Sequence, residues 1–336
     1  MPSTDLPIPA PSAAVHRLVE VPGGRIHLVE QGSGPLVLLV HGFPESWYSW
    51  RHQLPALAAA GFRAVAIDVR GYGRSSGPGE AEAYRMPAHV SDNVGVVRAL
   101  GERTATIVGH DWGAGIASGS TLLRPDVFTS VGLLGVPYAP RSGPRPTEVF
   151  ARIGGADEFY VAYFQAPGRA EAEIEPDVRG WLAGFYAALS ADTMPPAGAD
   201  SPFLVPPGAR MRDRFPAEVL PSWLSEADLD FYAAEFERTG LTGALNRYRN
   251  VDRDWEDLAG LDGAPLTPPS LFIGGELDPS TGWSAEAIAA FPTTLPGLVS
   301  SHILPGCGHW LQQERAAEVN RLLVAWLRSP QVRAAG

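Results

Sequence analysis

A single cysteine, Cys307, in a chain of 336 residues excludes an intramolecular disulfide framework and a cysteine-based metal site. Basic charge is also scarce: 26 Lys+Arg stand against 37 Asp+Glu, for a formal net charge of −11. With no dense basic cluster, nothing attracts nucleic acid or an anionic membrane surface. Long apolar stretches are missing. Runs such as Leu36–Val40 have the length of a strand and fall far short of a bilayer. The opening stretch MPSTDLPIPAPSAA lacks a basic segment followed by an apolar one, which argues against a secretory signal and reads as a loose tail. The expectation is a soluble, cytoplasmic protein without nucleic-acid or membrane partners, monomeric or homodimeric.

The chain nevertheless has material for a large core, with 45% hydrophobic and 19% charged residues. Pro22-Gly23-Gly24 separates the β-branched runs Val15–Val19 and Arg25–Glu30 and reads as a hairpin turn. Strand-length runs follow at Leu36–Val40, Arg63–Asp68, Thr104–Val108, Ser130–Leu134, Pro269–Ile273 and Ser301–Leu304. Continuous apolar strands alternating with helical stretches indicate an α/β fold, with a mostly parallel sheet flanked by helices. From Ala139 to Gly263 the texture changes. Pro-rich APRSGPRP opens this segment, and Thr193–Pro207 reads as a second loop. Asp157–Phe164 and Arg179–Leu189 read as helices, and Ser225-Glu226-Ala227-Asp228 resembles a capping box before Leu229, Tyr232 and Phe236 at helical spacing. Residues 139–263 are therefore expected to form a helical cap inserted into a core of residues 1–138 and 264–336.

Chemistry concentrates where predicted strands end. Thr104–Val108 runs into Gly109-His110-Asp111-Trp112-Gly113-Ala114-Gly115, which has small residues two positions either side of Asp111. Between a strand and a helix, that frame marks a nucleophile elbow, whose strained turn needs glycine around the reactive residue. A carboxylate there attacks an sp³ carbon and gives an alkyl ester, where a serine would attack an acyl carbon. Taken alone, Asp111 could equally cap the following helix. Its partners decide the matter, because triads on such sheets run nucleophile, acid, histidine. Asp278 follows one strand in Gly275-Glu276-Leu277-Asp278-Pro279, and His309 follows the last in Gly306-Cys307-Gly308-His309-Trp310. Glu276 is an alternative acid. After Leu36–Val40, His41-Gly42-Phe43-Pro44-Glu45-Ser46-Trp47-Tyr48-Ser49-Trp50 offers the Phe43 N–H as one oxyanion donor, with the Trp112 N–H as the other. Asp68–Ser75 reads as a structural loop.

These segments, together with the cap segments FYVAYFQAPG and DLDFYAAEFERTGLTGALNRYRN, resemble the epoxide hydrolases of the α/β-hydrolase fold from about Val15 onward. The resemblance implies opening of a hydrophobic epoxide to a vicinal diol through an ester on Asp111. Water activated by His309 and Asp278 would hydrolyse that ester, with no metal or organic cofactor. It also implies two cap tyrosines that protonate the leaving oxygen, Tyr160 and Tyr248. Spacing alone leaves Tyr163 open in place of Tyr160, since Tyr160 shares a face with Phe164 and Tyr163 with Phe159. Phe43, Trp47, Trp112 and Phe164 are expected to wall the pocket. Two positions depart from the family pattern: Leu311, where Thr is usual, and Arg247, where Trp is frequent. A neutral His309 is needed as base, so activity should fall at acid pH. Haloalkane dehalogenase is the nearest rival, but Phe43 has no side-chain donor for a leaving halide. A non-catalytic binding protein would not need nucleophile, acid, base and oxyanion donors together.

Overall fold

The computed structural model describes residues 14–195, 201–215 and 219–336. Most of the expected N-terminal tail, 1–13, and the middle of the expected Thr193–Pro207 loop, 196–200, lie outside the described residues.

Eight strands form one sheet: β1 Val15–Val21, β2 Gly24–Gln31, β3 Leu36–Val40, β4 Arg63–Ile67, β5 Ala105–His110, β6 Phe128–Leu134, β7 Ser270–Gly275 and β8 Leu298–Leu304. Their order is β1-β2-β4-β3-β5-β6-β7-β8. The β1–β2 hairpin closes with Val21 opposite Gly24, and β2 meets β4 antiparallel; the remaining neighbours are parallel. Continuous apolar strands arise because both faces of the sheet are covered. Leu36, Leu38 and Val40 of β3 pack into one core, while Val37 and Leu39 point into the other. Each such side chain contributes about 2 kcal/mol when fully buried. Helices α1 Gln53–Ala59, α2 Met86–Ala99 and α3 Trp112–Leu123 follow β3, β4 and β5. No helix among the described residues is long and apolar enough to cross a membrane.

Between β6 and β7 the chain leaves the sheet and builds a helical layer over the strand ends. It contains α4 Val178–Leu189 and α5 Glu226–Thr239, which pack on each other. Helix α6, Ala316–Leu327, follows β8 and covers the second face beside α1. The α5 capping box forms as expected, with Ser225 Oγ accepting the Asp228 N–H and the Asp228 carboxylate accepting the Ser225 N–H. Leu229, Tyr232 and Phe236 are buried beneath it. The expected helix Asp157–Phe164 is not formed as such. Glu158–Phe159 is a short strand paired with Leu204–Val205, and only Tyr160–Tyr163 turn helically. The Tyr160 N–H donates to Phe203 O (2.8 Å), so cross-strand pairing replaces the helical bond there. Across the seam Tyr186 Oη donates to Pro44 O (2.6 Å), and Trp310 Nε1 donates to Tyr186 O (3.0 Å).

Candidate active site

The β5 strand continues to His110, so Asp111 stands at the turn into α3. Its φ of 53° is the only positive value among the described non-glycine residues. Such a conformation costs about 1–3 kcal/mol and persists only when its surroundings enforce it. The flanking glycines permit the close backbone packing that holds it. A Cβ on Gly109 would sit 1.9 Å from Gly113 O, and one on Gly113 would sit 2.0 Å from Val40 O. Gly115 meets nothing within 4 Å and is not required by the turn. The Asp111 side chain makes no capping bond to α3, which removes the helix-cap alternative. Its Oδ1 instead accepts the Phe43 N–H at 2.8 Å, while the Trp112 N–H lies beside the carboxylate and favours its charged form. Burial pushes the Asp111 carboxyl above its usual range, opposed by His309, His110 and those two N–H groups.

His309 Nε2 stands 3.7 Å from Asp111 Oδ2, while Nδ1 meets Asp278 Oδ2 at 3.1 Å. Asp278 Oδ1 accepts the Ser280 N–H (2.9 Å), so the acid is held at both oxygens. The other candidate acid, Glu276, is exposed and accepts the Gly306 N–H (2.7 Å), bracing the loop below the histidine. Burial acts to lower the pKa of His309, but Asp278, Asp111 and Glu45 overcome it and lift the imidazole to about 9. Cys307, two residues upstream, is fully buried, and that burial pushes its thiol up to about 12.

A buried network that sequence reading missed ties these loops together. Glu45 Oε2 meets His110 Nδ1 at 2.9 Å and accepts the Gly42 N–H at 3.1 Å, while Oε1 accepts from Gln312 Nε2 at 2.9 Å. His110 Nε2 reaches the His309 carbonyl at 2.8 Å. Burial would raise the Glu45 carboxyl, yet His110, His41 and the Gly42 N–H hold it at about 2. The available signal was a glutamate inside an otherwise apolar, aromatic stretch, since a buried charge needs partners.

Opposite Asp111, Tyr160 and Tyr248 line one cavity with Phe43 and His309, their ring centroids 6.1 Å apart. Burial, then the Asp111 charge, raises the Tyr160 phenol; burial, then Tyr160 and Asp111, raises Tyr248. Tyr163 points elsewhere, donating to Glu173 Oε2 (2.5 Å) inside the helical layer. Of the expected wall, only Phe43 lines the cavity. Trp112 and Phe164 support Tyr248 from behind, at centroid distances of 5.0 Å each. Trp47 is not at the site; it packs against His16 and Phe231 on the outer side of its loop. An alternating apolar–polar run does not reveal which tryptophan faces which layer, and the expectation for Trp47 is corrected on that account. Arg247 does not line the cavity either. Its guanidinium lies 4.7 Å from the Trp112 ring centre and pairs with Asp254, so its effect on the wall passes through Trp112. Phe185, Leu189, Phe203, Pro279, Ser280 and Trp283 complete the lining.

The cavity holds about 20 Å³. A larger surface groove, about 590 Å³ between the β1–β2 turn and α2, is lined by residues such as Glu20, Val94 and Arg98. It offers no nucleophile beside a base. Chemistry, not volume, identifies the site.

The α/β hydrolase fold family model matches residues 35–316. Epoxide hydrolase B of Mycobacterium tuberculosis is 44% identical, covering 93% of this chain and 98% of the relative. Epoxide hydrolase A of the same organism is 42% identical, covering 96% and 99%. The solved structure of an epoxide hydrolase from an endophytic Streptomyces is 73% identical with a TM-score of 0.92, covering 94% of this chain and 95% of that one.

Proposed function

The chain belongs to the epoxide hydrolases of the α/β-hydrolase fold, and on that premise we propose that it opens a hydrophobic epoxide to a vicinal diol through an ester on Asp111. One observation carries the residue assignment. Two phenols face a carboxylate across a cavity that also contains an acid-held histidine. We assign residues 1–138 and 264–336 to the core that bears the triad, and 139–263 to the cap that bears the phenols. A cytoplasmic enzyme acting on a neutral substrate, with no nucleic-acid or membrane partner, fits the net charge of −11.

Oδ1 of Asp111 is already held by the Phe43 N–H, so Oδ2 is the free nucleophile. It attacks an epoxide carbon from the side opposite the C–O bond, and the bonding pair passes to the ring oxygen. That alkoxide is strongly basic; Tyr160 and Tyr248, protonated at neutral pH, hydrogen-bond it and pass it a proton. The imidazolium of His309 supplies that proton in net terms. The resting pair, Asp111 carboxylate with His309 imidazolium, thus becomes an ester with neutral His309, and charge balances. Esterification also removes the Asp111 charge that helps hold the His309 proton. Neutral His309 then takes a proton from water as the water attacks Cγ. The oxyanion develops on Oδ1 between the Phe43 and Trp112 N–H groups. Collapse expels the original Oδ2 on the diol, which takes its proton from the His309 imidazolium. The remaining proton of the new Asp111 carboxyl then passes to His309, restoring the resting pair.

Two measurements follow. Tyr160→Phe and Tyr248→Phe should each slow single-turnover ester formation about 10- to 100-fold, since general-acid assistance is shared between them. Tyr163→Phe should leave that rate unchanged and lower the melting temperature through the lost Glu173 bond. Equal effects of all three on ester formation would remove the assignment. The second concerns pH. Below about 9 His309 holds the proton the alkoxide needs, and above it that proton is gone. The alkylation rate should therefore fall as pH rises through about 9, and a rate flat from neutral pH to above that value would contradict the proton path. The acid limb expected from the sequence then belongs to Asp111, which must be ionised to attack.

A further inference from the structure

We infer that Trp283 forms the entry ring and outer wall of the substrate pocket and selects epoxides that carry a flat aromatic substituent. This rests on the reading that Asp111 attacks the epoxide. With room for about 20 Å³, the closed cavity admits roughly one water molecule and no epoxide, so a wall must move to admit substrate. Most of the wall cannot yield cheaply. Phe43, Phe185, Leu189, Phe203 and Tyr248 are each at most 6% exposed and are packed into the core shared by sheet and helical layer. Trp283 is 55% exposed and still lines the cavity that contains Asp111 and His309. It is the exposed end of a wall whose other end is catalytic.

The rings form a stair between those ends. Tyr248 and Tyr160 lie 6.1 Å apart, Tyr160 and Phe203 5.5 Å, and Phe203 and Trp283 5.5 Å. Phe159 braces Trp283 edge-on at 5.4 Å. An epoxide held by the two tyrosines must direct its substituent away from Asp111, along this stair. A phenyl group bonded to the epoxide carbon extends one ring step to Phe203 and presents its far edge to Trp283 at the next. A short alkyl chain fills less of that space and has no ring quadrupole to meet the indole. An isolated exposed tryptophan on a surface would need no explanation. One that also closes a catalytic cavity does, because burying it against a substrate recovers the apolar area it exposes.

The test compares styrene oxide with 1,2-epoxybutane in the wild type, Trp283→Ala and Trp283→Phe. For Trp283→Ala, kcat/KM for styrene oxide should drop about three- to tenfold, chiefly through KM, the size expected for one aromatic pair. The value for 1,2-epoxybutane should stay within about twofold, and Trp283→Phe should restore most of the loss. Parallel losses on both substrates would overturn the inference, since they would show only a disturbed helix beside Asp278. No change on either would overturn it as well. Turnover surviving in Asp111→Ala would strike the underlying reading instead, which the Trp283 comparison cannot do.

Discussion

Asp111→Ala should lose epoxide turnover by at least about 10⁴-fold, because removing a covalent nucleophile leaves only positioning and the remaining polarisation. The fold should survive the change. Alanine leaves the Phe43 N–H without its acceptor, at a cost of about 1–3 kcal/mol, but it also removes a carboxylate that burial disfavours. Backbone strain at φ 53° belongs to the tight turn that Gly109 and Gly113 make room for, and alanine, which also carries a Cβ, bears it as well. Circular dichroism and the melting temperature should therefore stay near the wild type while turnover vanishes. A single wild-type turnover in ¹⁸O-water adds the second half of the test. The first diol should be unlabelled, its new oxygen being Oδ2, and the label should appear in the Asp111 carboxylate. Labelled diol in the first turnover would mean that water attacks the epoxide directly.

His309→Ala should separate the two steps. Without its base, ester hydrolysis should slow about 10²- to 10⁴-fold. Alkylation should slow less, since the phenols still donate and solvent can replace the lost imidazolium proton. The ester then accumulates, and the intact protein gains the mass of one epoxide. If the variant neither forms ester nor accumulates it while remaining folded, the assignment of base and nucleophile to separate steps is wrong. Replacing Asp278 should give a milder form of the same accumulation, because it holds Nδ1 and so orients the ring without touching the water.

The strands, and the residues proposed here as the triad, were legible in the sequence for the same reason. A parallel sheet buried on both faces demands unbroken apolar runs, and its site stands where those runs stop. Asp111, Asp278 and His309 each announce themselves at such a stop, among glycines with steric work to do. The rest depended on contacts between segments far apart in the chain. Glu45 and His110 meet across 65 positions, and neither has a local pattern that names the other. Tyr160 and Tyr163 lie on one short segment, and only the position of Glu173 separates their roles. The error over Asp157–Phe164 has the same origin. Its residues are compatible with a helix, but a two-residue strand at Leu204–Val205 captures the first of them. Phe203 comes from a segment without any catalytic motif, and Trp283 ends the short helix Pro279–Trp283 that follows Asp278, where nothing in the motif marks it as pocket wall.

Cys307 bears on how long such a protein lasts under its own substrate. Epoxides alkylate thiolates and amines wherever they find them. The one thiol here is fully buried, and that burial pushes it up to about 12, which leaves almost none of it as thiolate at neutral pH. All 26 basic residues are arginine, and the chain contains no lysine to offer a neutral amine. Self-inactivation at high epoxide concentration should consequently be slow, and the adduct mass in His309→Ala should stop at one. Durability in this protein is a matter of how few nucleophiles it presents besides the carboxylate it uses.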